Sequence, residues 1–232
     1  MLKNLIFDVE GTLILSKWQI GLDDAIRINL KNYGDIDLSK FNAISKEIDE
    51  IIDAHKKQNE FYSDWLELTI DQFSGGLGLD LTHDEKIKIA NEIDTYIVKN
   101  TILLDDVFDV LDNLYGKFNL YVITDGGLRN RKVLKKLGLN RFFTDIFTSE
   151  ELKANKGSGK IFKSFINITN SNPSECLMVG DKVDSDGKCK LAGILFCLID
   201  REEKNFSGNY DFKIKNLSEI FSIINKISDK LI

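Results

Sequence analysis

The composition and charge of this chain exclude several classes of protein. It has 232 residues and a formal net charge of −6, which argues against a nucleic-acid-binding surface because such surfaces are normally basic. The length allows one large domain, or a domain with an inserted module. No segment reaches the roughly 18 consecutive apolar residues that a membrane-spanning helix needs. We therefore expect a globular protein without a nucleic-acid or membrane partner.

The cysteines and the N-terminal segment favour a cytoplasmic location. The cysteines are odd in number and lack the close pairing of a C-x-x-C motif: Cys176, Cys189 and Cys197. Reduced, buried thiols are typical of cytosolic proteins. The apolar start of the chain is interrupted by Asp8 and Glu10 and has no small-residue cleavage site, so a signal peptide is not expected.

The first predicted element is a buried strand that ends in two acids. The apolar residues 1–7 lead directly into the sequence D-V-E-G-T, in which Asp8 and Glu10 stand two positions apart. The ligand crevice of an α/β sheet opens at the C-terminal ends of its strands, and an apolar strand has no structural use for a carboxylate there. A nucleophilic carboxylate needs a partner that can protonate the leaving group, and a second acid can do so. The alternative interpretation is an ordinary turn after a strand.

Residues 15–100 show the periodicity of successive helices. Apolar residues at three- and four-residue steps predict four helices, over residues 25–33, 41–55, 61–73 and 85–98. We predict that residues 15–100 form a helical domain, inserted into an α/β core that consists of residues 1–14 and 101–232. The aromatic residues of this insert would either pack in its core or line a pocket: Trp18, Phe61, Tyr62 and Trp65.

From residue 101 onward, helices and strands alternate. Strands are predicted over residues 118–124, 145–149, 176–180, 195–200 and 210–214. A helical pattern lies near residues 107–114. Three further helices are predicted to end at residues 137, 168 and 192, and a last one to begin at residue 218. Such alternation predicts a parallel sheet with helices on both faces, which is a Rossmann-like α/β fold.

The strand over residues 118–124 ends in a second candidate site. Thr124, Asp125 and Gly126 form the turn between this strand and the next helix. A helix N-terminus offers unpaired N–H groups and positive potential, so a threonine at such a turn can seat a phosphate. We expect these three residues to contact the substrate, and the alternative is a helix cap formed by the Thr or the Asp.

Two further segments supply a cation and more acids. Lys156 lies in a loop rich in Gly and Ser, where it could hold a transferring group and a nucleophile together or could be a solvated surface charge. Asp181 follows the strand over residues 176–180, and Asp186 opens the next helix. Carboxylates gathered at adjacent strand ends form an oxygen site of the kind that binds Mg²⁺. The alternative is a helix cap formed by Asp184, Ser185 or Asp186.

Together these four segments resemble the haloacid dehalogenase (HAD) superfamily, whose pattern is D-x-D-G-T, a strand ending in Ser or Thr, a Lys, and G-D-x-x-x-x-D. The resemblance extends over nearly the whole core and includes the helical cap of the type C1, subfamily I phosphatases. It implies Asp8 as the nucleophile, Glu10 as the acid/base and Lys156 as the bridging cation. It further implies a set of Mg²⁺ ligands: Asp8, the backbone carbonyl of Glu10, and Asp181, supported by Asp186.

The chain departs from the family pattern at Asp125, where an Asn is common, and at two further places. Position 10 is Glu where most members have Asp, as also occurs in the enolase-phosphatases of the superfamily. A dehalogenase would usually carry an aromatic residue there and a phosphonate hydrolase a small one, so Glu10 indicates a phosphatase. Lys156 is followed by Gly-Ser-Gly in place of the usual prolines, which leaves Lys160 as a second candidate for the active-site cation.

The resemblance therefore predicts a Mg²⁺-dependent phosphatase that hydrolyses a small phosphorylated metabolite through an aspartyl-phosphate intermediate. Two alternatives remain open at this point: a phosphomutase that acts on a sugar phosphate, and an inactive binding module on the same fold. By the same likeness, the inserted helices would form a cap that excludes bulk water and selects the substrate.

Overall fold

The chain folds as two compact units. The structure, a computed structural model, describes residues 1–15, 26–57, 65–204 and 208–229. One unit consists of Met1–Leu15 and Ile102–Ile232, and we call it the α/β unit; the other, Ser16–Thr101, we call the helical unit. Trp18, Phe61 and Tyr62 lie outside the described residues, as does the side chain of Trp65.

A six-stranded sheet forms the centre of the α/β unit. The strands are β1 Asn4–Phe7, β4 Asn119–Thr124, β5 Asp145–Thr148, β6 Cys176–Gly180, β7 Leu195–Ile199 and β8 Phe212–Ile214. Their order in the sheet is β5-β4-β1-β6-β7-β8, and every neighbouring pair is parallel. The predicted parallel sheet is therefore confirmed, with β6 at the predicted bounds.

Both faces of this sheet are covered, because every residue of β1 and β6 is buried. Successive strand side chains point to opposite faces, and strands buried on both faces read as continuous apolar runs. One face packs on Phe162 and Phe165 of the helix Lys160–Thr169. The other helices are Val107–Leu114, Gly127–Lys136, Ser149–Leu152 and Ile220–Asp229. This arrangement is the expected Rossmann-like α/β fold.

Short elements are where the sequence-based prediction departs from the structure. The helix predicted through residue 192 is a 3-10 helix over Asp186–Ala192, and further 3-10 turns span Asn140–Phe142, Pro173–Glu175 and Leu217–Glu219. A two-stranded antiparallel ribbon was not predicted. It pairs β2, Ile14–Leu15, with β3, Ile102–Leu103. Two residues are too few to show a strand periodicity, so no pattern could indicate this ribbon.

The helical unit contains the helices that the periodicity predicts. Residues 26–30 are helical, and Leu38–Lys57, Trp65–Leu77 and His83–Asn100 follow. They share a core cluster in which Ile70 and Ile93 are fully buried. A capping box between Thr82 and Glu85 fixes the start of the helix His83–Asn100. Within the described ranges, no helix is long and apolar enough to cross a membrane.

Candidate active site

Three strands bring their C-terminal ends to one edge of the sheet. β1 lies between β4 and β6, and Phe7 is in register with Val122 on one side and Val179 on the other. Asp8 directly follows β1, Thr124 ends β4, and Asp181 directly follows β6. Parallel strands end at a common edge, where open α/β sheets bind their ligands. The sheet topology thus explains why residues more than a hundred positions apart share one site.

Lys156 is the cation that the structure places beside Asp8. Its Nζ lies 2.5 Å from Oδ1 of Asp8 and 2.6 Å from Oδ1 of Asp186, and the residue is only 3% exposed. Burial by itself would lower the pKa of Lys156, but the negative charges of Asp186 and Asp8 raise it overall. The ammonium group is therefore held in its charged form. Lys160, the second candidate, is exposed at the start of a helix.

Three carboxylates meet around this lysine. Ligand atoms of Asp8, Asp181 and Asp186 all lie within 4.8 Å of one another. Burial raises the pKa of Asp181 and of Asp186, and the charge of Asp8 raises both further. Within the described part of the chain, the buried Oδ1 of Asp181 has no hydrogen-bond partner. Two buried acids and the partly buried Asp181 against one lysine leave an excess of negative charge. Hard oxygen donors in this number suit a divalent cation.

Two glycines make room for these carboxylates. Gly11 has φ of +75°, and a Cβ on it would lie 2.4 Å from Oδ2 of Asp181. A Cβ on Gly180 would lie 2.3 Å from Oδ2 of Asp186. Real Cβ atoms do not approach an oxygen this closely, so the acids could not occupy these positions beside any other residue type. The Gly of D-V-E-G-T is thus explained by a side chain from another loop, and the Gly before Asp181 by the side chain of Asp186, which follows it in the same connection.

Asp186 is held from both sides. Its Oδ1 pairs with Lys156, and its Oδ2 accepts a hydrogen bond from the backbone N–H of Lys182 at 2.9 Å. The residue is fully buried. Glu10 is half-buried in the loop after β1, where its backbone bridges to Ile14. By the family resemblance, the backbone carbonyl of Glu10, and not its side chain, would bind the metal.

The predicted phosphate seat is a compact turn. Thr124 is 1% exposed, and its Oγ1 accepts hydrogen bonds from the backbone N–H of Gly126 at 3.1 Å and from Nδ2 of Asn130 at 2.7 Å. Asp125 is exposed, and its Oδ1 accepts a hydrogen bond of 3.0 Å from the backbone N–H of Lys156. The turn after β4 and the loop of the buried lysine are therefore tied to each other.

Sequence reasoning missed Asn130. It lies in the helix Gly127–Lys136 and is buried together with Val133 and Leu134. These positions are three and four residues apart, so they share one helix face. A polar residue on an otherwise apolar helix face is the sequence signal that could have indicated a buried hydrogen bond at this position.

The sequence that forms this sheet edge matches a known family. Residues 2–188 match the sequence model of the haloacid dehalogenase-like hydrolases. The chain belongs to this family. The suspected resemblance is thereby confirmed, and the chain is a hydrolase of the HAD family.

Two relatives illustrate the range of sequence similarity. YfnB of Bacillus subtilis (strain 168), named for the HAD-hydrolases, is 32% identical over 128 residues. That match spans 53% of this chain and 54% of YfnB, which is about half of either protein. The glyceraldehyde 3-phosphate phosphatase of Methanocaldococcus jannaschii is 26% identical over 240 residues, which cover 98% of this chain and 99% of that protein.

Solved structures of HAD proteins have the same fold. Crystalline YfnB bound to magnesium matches with a TM-score of 0.75 at 23% identity, over 97% of this chain and 99% of YfnB. The 2-haloacid dehalogenase of Pseudomonas syringae pv. tomato matches with a TM-score of 0.72 at 21% identity, over 97% and 99% of the two chains. Identities this low show the fold alone, so the reaction has to be argued from the residues of the site.

Proposed function

We propose that this HAD hydrolase is a Mg²⁺-dependent phosphatase that acts on a small phosphomonoester metabolite through an aspartyl-phosphate intermediate. The observation that carries the proposal is the contact of Lys156 Nζ with Asp8 at 2.5 Å, at the edge where Asp181 and Thr124 also lie. A buried carboxylate next to a fixed cation can receive an anionic substrate. The phosphatase names of full-length relatives, such as that of M. jannaschii, support the same reaction.

The acidic cluster fits a magnesium ion. Asp8 and Asp181 would hold it, and Asp186, whose two oxygens already have partners, would support them. The unpartnered Oδ1 of Asp181 is the atom that a cation would satisfy. When bound, Mg²⁺ neutralises charge on the phosphate oxygens and lets the anionic substrate approach the carboxylates.

The chain's own residues divide the reaction between them. Asp8 attacks phosphorus and forms a P–O bond, while the bond from phosphorus to the ester oxygen breaks. Glu10 gives its proton to the departing alkoxide and then takes a proton from the water that attacks the aspartyl-phosphate. This second step releases inorganic phosphate and restores Asp8. Lys156 and the hydroxyl of Thr124 contact the transferring phosphoryl group and stabilise its negative charge.

Glu10 favours phosphate-ester hydrolysis over dehalogenation. A halide leaves without a proton, whereas an alkoxide needs one, so a carboxylic acid at position 10 has a use only in the first reaction. Glu10 comes two residues after Asp8, in the loop that leaves β1. An acid there is consistent with an ester substrate.

The proposal extends to domain roles and to the substrate. By the family resemblance alone, residues 15–100 would be the cap domain and residues 1–14 with 101–232 the catalytic core. The names of the relatives make glyceraldehyde 3-phosphate the first substrate to test. Such a metabolite is small, anionic and phosphorylated, as the proposed site requires.

A substrate panel with a metal control tests this function. Phosphate release would be measured for glyceraldehyde 3-phosphate, other triose and sugar phosphates, phosphoglycolate and nucleoside monophosphates, each with Mg²⁺ and with EDTA. We expect turnover of at least one ester with Mg²⁺, none with EDTA, and none for Asp8→Asn, which is nearly isosteric but cannot attack phosphorus. Isomeric sugar phosphate without free phosphate would show a mutase instead. Full turnover by Asp8→Asn would reject the mechanism.

A further inference from the structure

Asn130 is a buried polar residue that the proposed reaction does not yet use. It is 2% exposed and stands on the same helix face as Val133 and Leu134. Its Nδ2 donates a hydrogen bond of 2.7 Å to Oγ1 of Thr124. A buried amide on an apolar face is costly unless it is hydrogen-bonded, so this contact is what makes the position tolerable.

The contact decides how the Thr124 hydroxyl can bond. A hydroxyl has two acceptor lone pairs and one proton to donate. Asn130 Nδ2 and the backbone N–H of Gly126 both donate to Oγ1. Since both acceptor positions are filled, only the proton remains for a further hydrogen bond. Thr124 is thereby set as a donor, which is the role that an anionic phosphate oxygen needs.

Gly126 keeps this arrangement in place. A Cβ on Gly126 would lie 2.1 Å from Nδ2 and 2.6 Å from Cγ of Asn130. Any larger residue at position 126 would push the amide away from Thr124. The turn thus combines a hydroxyl, a glycine and a buried amide. A glycine is needed at position 126 because the Asn130 side chain fills the space of a Cβ.

We propose that Asn130 is a positioning residue that orients the Thr124 hydroxyl to donate to a phosphate oxygen of the substrate. The proposal rests on the proposed function, in which Thr124 contacts phosphate. It adds a residue that acts through Thr124 and does not itself touch the substrate. Asn130→Asp reverses the effect, because a carboxylate can only accept and takes the hydroxyl proton for itself.

The test measures binding of inorganic phosphate by calorimetry in the presence of Mg²⁺. We expect Thr124→Val and Asn130→Asp each to weaken phosphate binding on the order of 10- to 100-fold, the usual worth of a hydrogen bond to a charged group. Asn130→Ala should lose less, since the hydroxyl can still turn toward phosphate. In the Thr124→Val background, Asn130→Ala should cost nothing more, because the residue has nothing left to orient.

Several results would overturn the proposal. Asn130→Asp with wild-type phosphate affinity would do so, and so would a double variant whose loss is the product of the two single losses. Melting curves show which variants fold, and if Asn130→Asp does not, Thr124→Val, Asn130→Ala and their double variant complete the test. Failure of the proposed function is a separate result: the wild-type protein would bind inorganic phosphate but release none from any ester.

Discussion

Replacing the buried lysine is the sharpest test of the site's electrostatics. Lys156→Met keeps most of the side-chain volume but removes the charge that stands between Asp8 and Asp186. Lys160→Met is the matched control, because the same change is made four residues later at an exposed position. Of these two lysines, only Lys156 contacts buried carboxylates. The two variants should therefore differ strongly in stability and in activity.

The size of the effect follows from burial. The Lys156 side chain is 4% exposed, and those of Asp8 and Asp186 are 6% and 0% exposed. Removing one partner of such a buried pair costs about 3–5 kcal/mol, because a charge is left uncompensated. For a chain of this size, a loss of about 1 kcal/mol in the free energy of unfolding lowers the Tm by about 2–4 °C. We therefore expect the Tm of the metal-free variant to fall by about 6–20 °C.

Magnesium should recover part of this loss, since bound Mg²⁺ would supply the missing positive charge. Catalysis should still fall by about 10²-fold or more, as it does when a preorganised charge contact is lost. Scanning calorimetry with EDTA and with Mg²⁺, together with phosphate-release kinetics, measures both effects. The reasoning is refuted if Lys156→Met melts and turns over like the parent protein, or if Lys160→Met shows the losses instead.

Two further predictions concern the loop after β1 and the strand β6. Glu10→Gln should keep the affinity for Mg²⁺ but lower turnover by about 10²- to 10⁴-fold, which is the usual contribution of general acid/base catalysis. The loss should be smaller for an aryl phosphate than for an alkyl phosphate. Equal losses for both esters would show that Glu10 is not the acid. Gly180→Ala should lower the free energy of unfolding by about 1–3 kcal/mol, because its Cβ would meet Asp186. Gly75→Ala, in a helix with nothing within 4 Å, should raise it slightly, and equal effects of the two alanines would contradict the packing argument.

The elements with a strong local pattern were predictable from the sequence. β6 begins and ends where its apolar run does, at Cys176 and Gly180. The helix Val107–Leu114 likewise matches its predicted bounds, because four buried residues on one face give it a clear helical period. The positions of Asp8 and Asp181 at strand ends were predictable for the same reason, since each of these acids directly follows an apolar run.

The parts that were not predictable depend on contacts between distant segments. The sequence could not decide between Lys156 and Lys160, because both lie near one loop and only the fold shows which one is buried. The crowding of Gly180 against Asp186 and of Gly126 against Asn130 involves side-chain atoms that no periodicity describes. The role of Asp125 also appears only in three dimensions, where its carboxylate accepts the amide of Lys156.

The small ribbon of β2 and β3 has a consequence for how this protein can change. Leu15 and Ile102 are cross-strand partners, so the chain leaves the α/β unit and re-enters it at neighbouring points. The entropy of closing a loop grows only slowly with its length. The intervening segment can therefore lengthen, shorten or be exchanged while Asp8 and its surroundings keep their backbone positions. The inserted helices and the sheet edge can therefore evolve as separate modules, and a short hairpin turn in place of residues 16–101 would be a practical route to a minimal version of the enzyme.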